Sequence, residues 1–300
     1  MAPRNQAIPE ALYRNAINLN RYSNGVAKRL IDAYNDIILD ASFQLAAIDE
    51  VTSPGTTLRL RTLLAQLQES LGTWAINSTT VTQEQLQGLV VLQSDFIQDQ
   101  LRKVLPSDAT KAAVRTVEIS PQFAQSVVTT DPTRVNVFTL PEELQVQRTG
   151  VTPTFSLTAR EGAVITLPNG ATVQKAFRGI ATQQADLFTR TVRNGLLTGE
   201  PTQSIARRLK GRLQFNQEGN VRQVIAAGGQ LTKLANNQVL TIVRTSVNQV
   251  SNAATQKVYR ANTDITNQYK YVATLDSRTS AICQRLDGQI FEYGKGPQPP

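Results

Sequence analysis

Apolar side chains recur every three or four residues through 9–50, where Leu19, Tyr22, Val26, Leu30, Ala33, Ile37, Ala41, Leu45 and Ile48 fall on one stripe. A stripe of that period can be buried only by a helix, so the chain must begin with a very long one. Pro9 suits its first turn, and Ser53-Pro54-Gly55 ends it. A second helix is predicted over 56–74 through Leu60, Leu63, Leu64, Leu67 and Leu71. A third is predicted from a Thr80 or Thr82 cap to Leu105, stopped by Pro106. Three such helices in sequence imply a bundle, in which the stripes serve core packing or, as the minor alternative, a partner helix.

Beyond 118 the pattern changes. Prolines at 121, 132 and 141 among Thr and Val residues read as a linker or extended arm. Residues 155–159 and 163–167 have strand character, and Pro168-Asn169-Gly170 is a turn signal, so a small hairpin is expected there. Its edges could pair with another subunit or pack on the helices. Helical period resumes over 174–197, Gly199 stops it, and Thr202 can cap a short helix holding Ile205, Ala206 and Leu209. The stretch 213–229 is irregular. A long helix follows over 231–261, then a strand (269–275), a turn with a short helix (276–286), the turn Asp287-Gly288 and a last strand (289–293). The expected fold is mainly α with a small β component: a helical region over 1–118, a linker and β-hairpin region over 119–173, and an α+β region over 174–300.

Composition limits the chemistry. Histidine is absent and Cys283 is the one cysteine. Ser-His-Asp and Cys-His nucleophiles, HExxH peptidases, thiolate-rich zinc sites and internal disulfides are thereby excluded. The candidate acids Glu142, Glu143, Glu161, Asp264, Asp276 and Asp287 show no paired spacing on a common face that would hold two metal ions. No metal, cofactor or catalytic residue is expected. MAPRNQAIPE has no apolar core of a leader, and the aliphatic runs are too short to cross a bilayer, so assembly in the cytoplasm without membrane contact is expected.

Charge is concentrated. Between 171 and 260 stand thirteen basic residues against Asp186, Glu200 and Glu218, a local net of +10 within a chain of net +8. Such a field attracts polyanions, double-stranded DNA or an acidic protein surface alike. The densest cluster is Arg207, Arg208, Lys210 and Arg212, with Arg222 following. A solvated helix face and a DNA or protein contact are both open for it. Few aromatics flank it, so any nucleic-acid contact would be non-specific and salt-dependent rather than by base stacking.

Three stretches carry a resemblance: GLLTGEPTQSIARRLKGR (195–212), IVRTSVNQVSNAATQKVY (242–259) and YKYVATLDSRTSAICQRLDGQIFEYGKGPQPP (269–300). In order and spacing they resemble the phage Mu protein F type of head-morphogenesis protein, similar to minor head proteins that associate with the portal. The resemblance covers about the last third and marks Arg244, Thr245, Asn248, Asp276, Arg278, Thr279, Cys283, Asp287 and Gly288 as its framework. It implies a structural virion component, inside the capsid or at the portal vertex, that aids head assembly and DNA packaging or ejection. The partners it implies are the portal protein, other capsid or internal head proteins, and double-stranded DNA. Members typically continue into a His-Pro and Cys-Arg segment. Here the sequence reaches Pro299-Pro300 with no His and one Cys, and a zinc site is disfavoured because zinc needs about four ligands; either the native chain runs longer or this member does without the site. The rivals are a phage-encoded enzyme, either a carboxylate-dependent nuclease or a transferase domain, and a non-specific DNA-binding protein.

Read physically, Asp276 and Arg278 pin a turn rather than catalyse. Thr279 or Ser280 caps the short helix, and Cys283 is a small buried residue. Gly288 occupies a position of positive φ. Arg244 and Asn248 share a helix face, from which Arg244 is expected to reach the C-terminal strands.

Overall fold

The computed structural model describes residues 4–48, 54–105, 114–115, 172–210, 213–215, 221–224, 230–273, 279–292 and 296–297. The expected linker and the hairpin at 155–167 lie outside them. The described part is mainly helical, with α1 (Arg4–Ala46), α2 (Pro54–Val104), α3 (Val173–Leu197), α4 (Thr202–Lys210), β1 (Leu213–Phe215), β2 (Val221–Val224), α5 (Gln230–Ala261), β3 (Gln268–Lys270), α6 (Ala281–Leu286) and β4 (Ile290–Glu292). β1 pairs antiparallel with β2 and β3 with β4, as two separate two-stranded sheets.

The largest departure from expectation is α2. The sequence predicts two helices broken near Asn77-Ser78-Thr79-Thr80, and the structure has one continuous helix of 51 residues. The polar run contains neither Gly nor Pro, and two of its three hydroxyls turn back onto their own helix. Thr79 Oγ1 donates to Ala75 O at 2.8 Å and Thr80 Oγ1 to Ile76 O at 3.3 Å. A hydroxyl that bonds the i−4 carbonyl is satisfied inside a helix and has no need to cap one. The helix α1 also starts at Arg4, before the Pro9 that was expected to open it.

The chain divides into two compact units: Ile17–Gln85 with Ala171–Ser246, and Met1–Ala16 with Leu86–Gly170 and Val247–Pro300. In the former, Trp74 organises the core. Its indole Nε1 donates to Leu30 O at 2.9 Å, its ring lies 5.3 Å from Tyr34, and Phe177 meets it edge-on at 5.7 Å. Tyr34, fully buried, donates to Leu231 O at 3.3 Å. α1, α2, α3 and the start of α5 are therefore tied around one aromatic group. Ile38, Leu45, Leu71, Phe188, Ile205 and Leu209 complete the buried set.

The latter unit is more polar inside. Asn15 donates to Gln93 at 2.9 Å and Gln93 to Thr255 at 3.0 Å, linking α1, α2 and α5 through side-chain amides and a hydroxyl. Leu86, Leu89, Val90, Ile97, Val250, Ala254 and Val258 supply the apolar burial. Asn262, just past α5 and fully buried, treats residue 115 as a strand neighbour would. Its Oδ1 accepts from Arg115 N at 2.7 Å and its Nδ2 donates to Arg115 O at 3.3 Å and Val258 O at 2.8 Å.

Asn262→Ala would leave the Arg115 amide and carbonyl unpaired beside a buried void. We expect a loss of about 1–3 kcal/mol in urea unfolding, whereas Asn267→Ala, an exposed asparagine in the same turn region, should leave the midpoint unchanged.

Candidate functional site

α3, the turn after it and α4 hold the first of the resembling stretches. Thr172 caps α3, its Oγ1 accepting from Lys175 N at 2.9 Å. The helix ends in a Schellman arrangement: Glu200 N donates to Gly195 O at 2.8 Å and Gly199 N to Leu196 O at 3.1 Å, with Gly199 at φ +71°. Gly199 thus stops the helix as expected. Gly195 is needed for another reason: a Cβ there would sit 2.6 Å from Cδ1 and Cγ1 of the buried Ile205. Thr202 does not cap α4. It is the first helical residue, and its Oγ1 donates to Ile48 O at 2.7 Å, tying α4 to the exit of α1.

The basic cluster is divided by its surroundings. Arg208 pairs with Glu200 at 3.0 Å and reaches Thr191 O at 3.5 Å. Lys210 lies 4.2 Å over the ring of Phe43 on α1, a cation–π contact. Burial, with Arg207 beside it, pulls the Lys210 ammonium below the usual lysine range. Arg207 is exposed and has no carboxylate partner among the described residues. Arg212 lies outside the described residues, and of Arg222 only the backbone is described, in β2 opposite Gln214. Arg190 and Arg193, counted among the thirteen basic residues of the segment but not in its dense cluster, stand exposed near the end of α3, Arg190 with its Nε donating to Asp186 O at 3.3 Å. The signal was available, since both fall off the stripe of Phe177, Ala181, Gln184, Phe188 and Val192 that α3 buries.

α5 carries Arg244, Thr245 and Asn248. Arg244, expected to serve the C-terminal strands, has its described partner on α1 instead. Its Nε donates to Asn24 Oδ1 on α1 at 3.0 Å, because this part of α5 runs beside α1 in its own unit. Thr245 is half-buried and Asn248 exposed.

In the C-terminal framework β3 and β4 pair in register, Tyr269 opposite Phe291 with rings 5.7 Å apart. Tyr269 Oη donates to Pro297 O at 2.6 Å, and a Cβ on Gly296 would run into the Tyr269 hydroxyl and the Phe291 side chain. These contacts give the Gly-Pro end of the sequence a packing role. Asp276 and Arg278 lie outside the described residues. Thr279 is half-buried and its carbonyl accepts from Gln284 Nε2 at 3.1 Å, while Ser280 caps α6 by accepting from Cys283 N at 3.2 Å. Asp287 Oδ1 accepts from Ala273 N at 2.8 Å, and Gly288 has φ +78° as expected.

Cys283 is half-exposed rather than buried, because the six-residue α6 turns Leu286 inward and not Cys283. Its Sγ lies 3.4 Å from Tyr271 Oη. Hydrogen bonds from Ser280 and Tyr271 draw the thiol below its ordinary range, while burial and the bond to Cys283 push Tyr271 up to about 12. Of the acids considered for catalysis, Asp264 pairs with Arg115 at 3.1 Å and Asp287 serves the turn. Glu142, Glu143 and Glu161 lie outside the described residues. Among the described residues no group of three or more His, Cys, Asp or Glu could hold a metal ion, and no helix is long and apolar enough to cross a membrane.

Residues 186–298 match the family model of Phage Mu protein F like protein. The chain carries a phage Mu protein F-like region. The match begins inside α3 and runs through α4, α5, α6 and both strand pairs, so it contains the first two stretches on which the resemblance was read and the third as far as residue 298. The family is one of phage head morphogenesis. No curated protein and no solved structure matches the chain.

Two outcomes test this geometry. Gly195→Ala should destabilise the protein by about 1–3 kcal/mol through overpacking against Ile205, and adding Ile205→Val should recover part of that loss in the same thermal melt. Tyr271→Phe removes a bond that favours the Cys283 thiolate, so the pH midpoint of Cys283 alkylation should rise; an unchanged midpoint would dissociate the tyrosine from the thiol.

Proposed function

We propose that this phage Mu protein F-like chain is a minor head protein, a structural component of the virion seated near the portal vertex that aids capsid assembly and DNA packaging or ejection. The family match over 186–298, together with the framework packed around Tyr269, Asp287 and Gly296, carries this reading. Two of the candidate acids are engaged, Asp264 with Arg115 and Asp287 with the Ala273 amide, which favours a structural role over a nuclease or transferase. In this reading its partners are the portal protein and other internal head proteins. Mass spectrometry of purified particles should find the protein at fixed copy number, and it should comigrate with portal assemblies; its absence from both would reject the assignment.

A second component, non-specific contact with the packaged duplex, is favoured by the exposed Arg190, Arg193 and Arg207. A cation already paired to a carboxylate or an aromatic ring has less to gain from a phosphate, so these three should lead and Arg208 and Lys210 should follow. Replacing Arg190, Arg193 and Arg207 by Gln should weaken duplex retention at low salt and reduce the steepness of its salt dependence, by about 0.9 in log–log slope per lost phosphate contact. Replacing Arg208 alone should change it little. Equal effects from both sets would assign the binding to net charge rather than to these arginines.

A further inference from the structure

A groove of about 660 Å³ runs between α1 and α2 in the unit organised by Trp74, away from the family framework. Its floor is Leu30, Ala33, Ile37 and Trp74, and Ser70, Thr73 and Asn77 line the α2 wall. Tyr22 bonds Gln85 and Trp74 bonds Leu30, so the two helices are antiparallel. That pairing puts Arg29 toward the Val81 end of the groove and Glu69 toward the Ile37 end, roughly 12 Å apart at 1.5 Å per residue. Neither charge has an ion-pair partner among the described residues; Arg29 makes only a 3.4 Å contact with Gln85 Oε1. Ser78, which also lines the groove, is 1% exposed and its hydroxyl has no partner.

We propose that this groove binds a short amphipathic helix of a partner polypeptide, apolar side chains on the floor, an acidic residue at Arg29 and a basic one at Glu69. A furrow between two antiparallel helices is where ridges of a third helix pack, and eight residues of helix span the distance between the two charges. The opposite charges at the two ends select against a simple amphipathic anion, which would satisfy Arg29 and leave Glu69 facing its apolar tail. The proposal stands apart from the head-protein reading, since no residue of the groove lies in the matched region.

Trp74 is the sole tryptophan of the chain, so its emission reports the groove directly. The full-length protein is titrated with a capped fourteen-residue synthetic helix bearing Leu at three- and four-residue spacing, Glu near one end and Lys near the other. A saturable change in emission is expected. Arg29→Glu and Glu69→Lys should each weaken it at least threefold, and the double exchange should restore it to within twofold of the parent, with unchanged circular-dichroism melts. Ala33→Leu, which fills the exposed floor position, should abolish saturation. The proposal is overturned if the peptide gives no saturable change, or if the double exchange fails to rescue. It is equally overturned if sodium decanoate binds as well without regard to residue 69, or if emission depends on protein concentration alone, which would make the occupant a second copy.

Discussion

A buried indole N–H must find an acceptor, and in this protein that requirement fixes the register of the longest helices. Trp74 is 4% exposed and its one donor is spent on the carbonyl of Leu30. Sliding α1 by one residue would turn that carbonyl away and leave the N–H unpaired, at a cost of about 1–3 kcal/mol before any packing is lost. With α1 held, Tyr34 is brought against the indole and to Leu231 O, which places the first turn of α5. Phe177 meets the indole edge-on and sets the rotation of α3 about its axis. Everything downstream on α3 follows from that phase: Phe188 and Val192 go inward, and Arg190 and Arg193 outward.

What the sequence made legible was periodicity. α3 and α5 begin and end within about one residue of expectation, because their apolar stripes are long, α3 being closed by Gly199 and α5 preceded by glycine-punctuated chain and followed by polar residues. The turn elements Gly199 and Gly288 were legible for a local reason, since only a residue without a Cβ takes positive φ at little cost. The single α2 was not legible, because a run of Asn, Ser and Thr reads as a cap until one knows that the Thr79 and Thr80 hydroxyls bond backwards. The β1–β2 pair escaped because strands of three and four residues carry no usable alternation.

The contacts that tie the units internally had no local signature at all. Tyr34 to Leu231, Thr202 to Ile48 and Asn262 to Arg115 join residues 197, 154 and 147 apart in sequence. Thr202 shows the consequence most clearly. Its position after Gly199-Glu200-Pro201 fits a helix cap, and local chemistry alone would keep it there. The carbonyl of Ile48, left open where α1 ends, offers a buried partner instead, and the hydroxyl takes it.

The same contest between local pattern and surroundings governs the basic segment. At long range every cation contributes to the field, so the net of +10 over 171–260 steers a polyanion whatever each side chain is doing. At contact only the free groups count. Glu200 and the Phe43 ring hold Arg208 and Lys210, two of the four residues that make the sequence cluster look dense, and neither holder could be identified from the cluster itself. Arg207, just before them on the same helix, is left open, and the α3 arginines stand exposed nearby in sequence. A run of basic residues therefore measures attraction, whereas the phase of α3 and α4, set by Trp74 and Ile205, decides which guanidinium groups are free to bind.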